Sequence, residues 1–239
     1  MRMGQPSHLH RPATPAAASS VQRARSFAAE LIRQFPVGLY STAQSLAAAV
    51  GFFALMGGLY FATDSWAFEP FDLNGDLVHG FYAPPIFSAG LLFAASWFAF
   101  SQRHVRATPG WAWLGIAVLF AFMAVDELVS FHEQLTEWTG TDWQLLYLPL
   151  VAAAAVMWLV ILGSMRAAVP APMMWVGGVV AWFGAQGIEH FQYDANGDPV
   201  AAAPYLILVE EPAEMLGSAL FLIAILIFAR RAAVQDQRP

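Results

Sequence analysis

Six apolar stretches, each of about 20 residues and so long enough to cross a hydrocarbon layer as a helix, dominate this chain. They fall at 43–63, 80–101, 111–135, 144–165, 172–191 and 204–229. Backbone in lipid finds no water to bond, so such spans satisfy their hydrogen bonds internally, as helices. The expected fold is all-α: an integral membrane bundle of six transmembrane helices. Gly57-Gly58, Pro84-Pro85, Pro149, Gly177-Gly178 and Pro212 interrupt the runs. A bundle tolerates them where neighbouring helices or water take up the freed backbone groups.

Residues 1–26 are rich in Ala, Ser, Pro and Arg, without the apolar core of a cleavable signal peptide. They are expected as a disordered cytoplasmic tail. Further on, Val21, Ala24, Phe27, Ala28, Leu31 and Phe35 recur at helical spacing, with Arg23, Arg25 and Arg33 between them. This reads as an amphipathic helix on an anionic membrane surface, or equally as the wet start of the first span. The segment 27–42 is thus interfacial, 43–231 form the membrane domain, and 232–239 form a second cytoplasmic tail.

Charge is scarce and polarised. Charged residues are 12% of the chain, against roughly 25% in a soluble domain. The net charge of −6 has the wrong sign for a nucleic-acid partner. The absence of Cys removes disulfides, thiolate metal ligands and a Cys nucleophile. All 11 basic residues are Arg. Arg2, Arg11, Arg23, Arg25 and Arg33 precede span one. Arg103 and Arg106 follow span two, Arg166 follows span four, and Arg230, Arg231 and Arg238 follow span six. With six spans every one falls on the same side, so the positive-inside rule puts both termini in the cytoplasm, as expected for a bacterial inner-membrane protein. Of the 17 acids only Glu30 and Asp236 share that side; the other 15 lie in outer loops or outer halves of spans. His79, His132 and His190 join them, whereas His8, His10 and His104 read as ordinary solvated residues on the inside.

Four segments therefore end together at the outer face. Span two opens with Asp76 and His79, span three ends with Asp126, Glu127, His132 and Glu133, span five ends with Glu189-His190, and span six begins with Glu210, Glu211 and Glu214. If span three exits near residue 136, Asp126 lies about 15 Å deep, and Glu214 lies at a similar depth in span six. A carboxylate at such depth must face the bundle interior or water. On a continuous helix Asp126, Ser130 and Glu133 share one stripe. Glu210, Glu214 and Gly217 share another, with Glu211 about 100° away. No Arg is placed to neutralise these acids, so they share protons, bind a cation or line a hydrated cavity. His beside carboxylates without Cys suits a transition metal, Fe, Cu, Mn or Zn, in mixed nitrogen and oxygen ligation. Pro212 cannot donate to the Leu208 carbonyl, so span six is expected to kink at its acids and to free a further oxygen ligand. The expected metal ligands are Asp126, His132, Glu189, His190, Glu210, Glu214 and His79. Glu127, Glu133 and Glu211 are the expected acid/base groups.

Two outer loops repeat D-x-N-G-D, at Asp72/Asn74/Asp76 and Asp194/Asn196/Asp198. This matches the start of an EF-hand-type calcium loop, but Leu77 or Pro199 stands where Gly is needed and Ala83 or Tyr205 where Glu is needed. A tight Asn-Gly turn and a weak calcium site are both compatible with it. Trp66, Trp111, Trp113, Trp138, Trp143 and Trp175 sit near predicted span ends and read as an interfacial aromatic belt.

The D-E-x4-H-E stretch at 126–133 and the E-E-x2-E-M stretch at 210–215 resemble signatures of uncharacterised bacterial six-span membrane proteins, a resemblance that implies no activity. Residues 64–90, with Asp64, Trp66, Asp72, His79, Tyr82, Pro84 and Gly90, are similar to the metal-binding region of the C subunit of copper membrane monooxygenases. That resemblance implies metal-binding roles for Asp64 and His79; the family's first His has no counterpart, with Ala67 and Phe68 near its place, and the spacing is shorter. The Glu-x-x-His pairs of a ferritin-like di-iron site are absent.

The expected function is that of a membrane-embedded metalloprotein, a metal-dependent oxidoreductase or hydrolase. It would act on a lipophilic or membrane-borne substrate from the extracytoplasmic side. The same acids would also serve a cation or proton transporter, and a third reading is an accessory subunit with an oligomeric or complex partner in the bilayer.

Overall fold

The long apolar runs fold as helices, as lipid requires, and the turns between them fall where the sequence breaks its hydropathy. The computed structural model describes residues 39–63, 67, 69–73, 82–105, 108–192 and 200–235. Among them are seven α-helices and no strand: α1 (Leu39–Thr63), α2 (Ala83–Gln102), α3 (Gly110–Val129), α4 (Phe131–Thr139), α5 (Trp143–Met165), α6 (Ala171–Glu189) and α7 (Ala203–Gln235). A 3-10 turn, Glu69–Phe71, lies between α1 and α2. Five of the helices, α1, α2, α3, α5 and α7, are long and apolar enough to cross a membrane. The chain is thus an all-helical membrane protein. All seven helices belong to the unit Pro36–Pro239. The expected N-terminal tail and the segment 21–35 lie outside the described residues.

Local chemistry explains the boundaries. Pro84 and Pro85 occupy the first turn of α2, where a missing N–H costs nothing and a fixed φ favours the helix. Asp142 caps α5, its carboxylate accepting from the Gln144 backbone N–H at 2.9 Å.

One expectation fails here. Span three does not run unbroken to residue 135. Ser130 adopts a left-handed conformation (φ 46, ψ 48), which ends α3 and starts the nine-residue α4. Side chains on either side of the break satisfy the groups it exposes. The Asp126 carboxylate accepts from the His132 backbone N–H at 2.9 Å, capping the first turn of α4. The Gln134 side-chain amide donates to the Val129 carbonyl at 2.6 Å, covering the end of α3. A left-handed non-glycine residue costs about 1–2 kcal/mol, and a β-branched one more. Ser130→Val is therefore expected to lower stability by the excess strain of a β-branched residue at positive φ, while Ser130→Gly leaves it unchanged or raises it. Thermal unfolding of the two variants in one detergent checks this.

The packing makes a ring. α2 packs on α3 and α7, α3 on α5, and α6 along α7, while α5 meets α6 only sparsely; α1 lies outside the ring against α7. Across the ring α3 and α7 stand further apart. One half of that space is filled by aromatic rings: Trp113 stacks on Phe228 at 5.3 Å, Phe120 meets Phe221 at 5.2 Å, and Trp175 meets Phe221 at 5.0 Å. Trp113 and Trp175, read from the sequence as interfacial, are both 0% exposed and belong to this core, whereas Trp111 and Trp138 are exposed. Glycines set the closest helix approach: a Cβ on Gly178 would collide with the Phe221 ring, and one on Gly217 with the Trp182 ring.

Candidate functional site

The unfilled half of the ring is a cavity of about 460 Å³, within the range of roughly 300–1,000 Å³ typical of ligand sites. It lies at the acidic end. The short links after α2 and α5 carry Arg103 and Arg166, and α7 carries Arg230 and Arg231 toward its C-terminus; the acids sit at the opposite helix ends. Sixteen residues separate Glu214 from Arg230 on α7, or about 24 Å of helix. Glu214 therefore lies inside the apolar span Tyr205–Val234 of α7 rather than at its end.

Three carboxylates meet inside the cavity. Glu127 comes from the end of α3, and Glu211 and Glu214 come from one face of α7, three residues apart. One oxygen from each lies within 4.8 Å of one from each of the others. The α2 residue Ser88 closes the group. It is 0% exposed and its hydroxyl lies against the Glu127 carboxylate. Among the described residues no Arg lines the cavity. Two charged carboxylates 4.8 Å apart repel by about 3–4 kcal/mol at an effective dielectric of about 20. A cation or shared protons would remove that repulsion.

A polar cradle fixes these groups. The Gln186 amide donates to Glu214 Oε1 at 2.8 Å, and the Gln192 amide to Glu210 Oε2 at 2.7 Å. The Trp182 indole N–H reaches the Glu214 carbonyl at 3.2 Å and Ser218 Oγ at 3.3 Å. Both contacts depend on the bare Cα of Gly217. The Trp143 indole donates to Glu189 Oε1 at 3.1 Å. Asp126 and His132 pair through Oδ2 and Nδ1 at 3.0 Å, and the Tyr147 hydroxyl donates to Asp126 Oδ1 at 3.4 Å.

The structure thus regroups the residues singled out above. Glu127 and Glu211, expected as acid/base groups, stand with Glu214 as the three that could hold a cation. Asp126, His132, Glu189 and Glu210 line the same cavity, each held by another partner. The stripe joining Asp126 to Glu133 does not form, because the helix breaks at Ser130 between them. His190 is exposed at the end of α6. Leu208, whose carbonyl Pro212 leaves without its helical donor, packs with Val50, Leu73 and Met215; of these Leu73 lines the cavity and Leu208 does not. His79, Asp64, Asn74, Asp76 and the loop Asp194/Asn196/Asp198 lie outside the described residues, as does the Glu133 side chain. Asp72 is described, its N–H donating to the Glu69 carbonyl at 2.9 Å.

Ser88, Gln186, Gln192 and Tyr147 were not foreseen. Their signal was present: a polar side chain inside or beside an apolar span is costly unless something there needs it.

Residues 40–229 match a family model described as Domain of unknown function (DUF8692). No curated protein and no solved structure matches the chain.

Proposed function

We propose that this chain, which belongs to the DUF8692 family, is a membrane-embedded metalloprotein that uses a hard divalent cation to act on a lipophilic substrate. The observation that carries this reading is the group Glu127, Glu211 and Glu214, with the fully buried Ser88 hydroxyl against Glu127, at the polar end of a largely apolar cavity. The donors are all oxygen. That favours Mn²⁺ or Fe²⁺ over the Cu or Zn that mixed histidine ligation would suit. A cation there would supply Lewis-acid activation of a water or a substrate oxygen. The chain's own groups have separable tasks: Gln186 orients Glu214, and the Asp126–His132 pair at the same cavity offers a proton acceptor outside the cluster.

The orientation belongs to the same proposal. With α6, 19 residues long and packed along α7, as a sixth span, both termini are cytoplasmic. The Arg-bearing end then faces inward and the cavity outward. Transport is the weaker reading. Below the acids the ring is closed by Trp113, Phe120, Trp175 and Phe221, and no chain of buried polar groups among the described residues links the cavity to the Arg end.

Metal analysis of the protein purified in mild detergent tests this. About one equivalent of Mn or Fe is expected, lost in Glu214→Ala and retained in a control such as His190→Ala. Folded protein that is metal-free and takes up neither Mn²⁺ nor Fe²⁺ overturns the reading.

A further inference from the structure

We infer that the cavity is a binding chamber for a single-chain amphiphile with an uncharged or cationic headgroup, admitted from the lipid through the seam between α5 and α6. The assignment deepens the site proposed above by naming its substrate class, and rests on that reading only for the reaction, not for the binding.

The seam is the weak point of the ring. α5 and α6 are fastened at two levels. Near the acidic end, the Gln144 amide donates to the Gln186 carbonyl at 3.5 Å and Trp143 reaches Glu189. Near the Arg end, Trp158 and Trp175 exchange indole-to-carbonyl hydrogen bonds at 3.4 and 3.2 Å. From Gln144 to Trp158 is 14 residues, about 21 Å of helix. Over that length the facing side chains are small or apolar, including Val151, Ala154 and Ala155 on α5 and Val179 and Phe183 on α6. Only 6% of the apolar window of α5 is buried by protein. Leu159 and Phe183 line the cavity and are 59% and 61% exposed. Cavity and lipid therefore share a wall with a long, apolar, loosely packed opening, fastened above and below.

The interior specifies the ligand. On α3 it runs from Ile116 to Glu127, about 16 Å, apolar at one end and acidic at the other. An alkyl chain would lie along Leu119, Phe120, Trp158 and Val179, with its head among the carboxylates. Asp126, Glu127, Glu189, Glu210, Glu211 and Glu214 line that end, with His132 and, among the described residues, no Arg. One divalent cation offsets only part of this charge. A carboxylate or phosphate headgroup would be repelled, whereas an alcohol, amide or amine would find acceptors in the acids, and the first two also donors in the second amide protons of Gln186 and Gln192.

Photo-cross-linking in liposomes tests this, with alkyl-diazirine probes of equal chain length bearing an alcohol, a trimethylammonium or a carboxylate head. The alcohol and ammonium probes are expected to label Val151, Ala154 and Val179 at least tenfold more than the carboxylate probe. Labelling of the lipid-facing Val156 should be the same for all three. Ala154→Trp, which fills the seam, should abolish the cavity labelling and spare Val156. Equal cavity labelling by the carboxylate probe, or no cavity labelling by any probe, overturns the inference, and the wild-type comparison holds even if the variant fails to fold. The measurement is repeated after chelator treatment. Labelling that persists in protein found metal-free keeps the chamber and removes the metalloprotein reading; metal without cavity labelling does the reverse.

Discussion

Replacing Glu211 by Gln is expected to raise the thermal stability of the chelator-treated protein and to abolish its stabilisation by Mn²⁺. The two effects have opposite signs because they come from opposite states. Without a cation, Glu211 adds repulsion toward Glu127 and Glu214, whose oxygens lie within 4.8 Å, and each charged pair costs up to about 3–4 kcal/mol. An amide of the same shape removes that cost and keeps two groups able to hydrogen-bond. With a cation, the same carboxylate becomes a ligand. A cation at a hundredfold excess over its Kd stabilises a one-site protein by about 2.7 kcal/mol, and this gain should vanish with the ligand. Melting curves of wild type and Glu211→Gln, with chelator and with Mn²⁺, check both signs at once. Glu210→Gln is the contrast, since Glu210 is held by Gln192 rather than by the cluster; it should leave most of the Mn²⁺ response in place. If Mn²⁺ stabilises Glu211→Gln as much as wild type, the cluster is not the site.

The second large effect is expected at a residue with no side chain. A Cβ on Gly217 would collide with Trp182 and come within 3.0 Å of the Gly178 carbonyl. Gly217→Ala should therefore drive Trp182 off the Glu214 carbonyl and Ser218 hydroxyl and push α6 from α7, at about 1–3 kcal/mol. Displacing α6 also carries Gln186 away from Glu214, so Mn²⁺ affinity should fall with stability. In a Trp182→Ala background the same substitution meets only the Gly178 carbonyl, and the share of its cost due to the ring should disappear. The double-mutant cycle on thermal stability measures that coupling directly. Additive effects would mean that Trp182 and Gly217 do not constrain one another.

Hydropathy is a property of successive residues, so the helical class, the ends of the spans and the polarity of the molecule were open to reading in one dimension. Observed boundaries such as Trp143–Met165 and Ala171–Glu189 fall within a few residues of the apolar runs, and the acids gather at the helix ends opposite the Arg residues. The site was legible as a neighbourhood but not as a grouping. A helical wheel holds only while the helix is continuous, and Ser130 breaks it between Asp126 and Glu133. Nor does a wheel know how a helix is turned about its own axis. The carboxylates that face one another are chosen by the close approach of α6 and α7 at Gly178 and Gly217 and by the aromatic rings holding α3 and α7 apart. That rotation brings Glu127 and Glu211 to Glu214 and leaves Asp126 to His132.

What the sequence alone determined is an all-helical membrane chain with its acids and its Arg residues at opposite ends, because transfer to lipid acts residue by residue and tolerates few exceptions. Which carboxylates share a space, which tryptophans are core and where the ring opens to lipid were decided only by tertiary packing. Side-chain volume, set against the few glycines that admit close approach, fixes the rotation and spacing of helices whose local signals are almost the same.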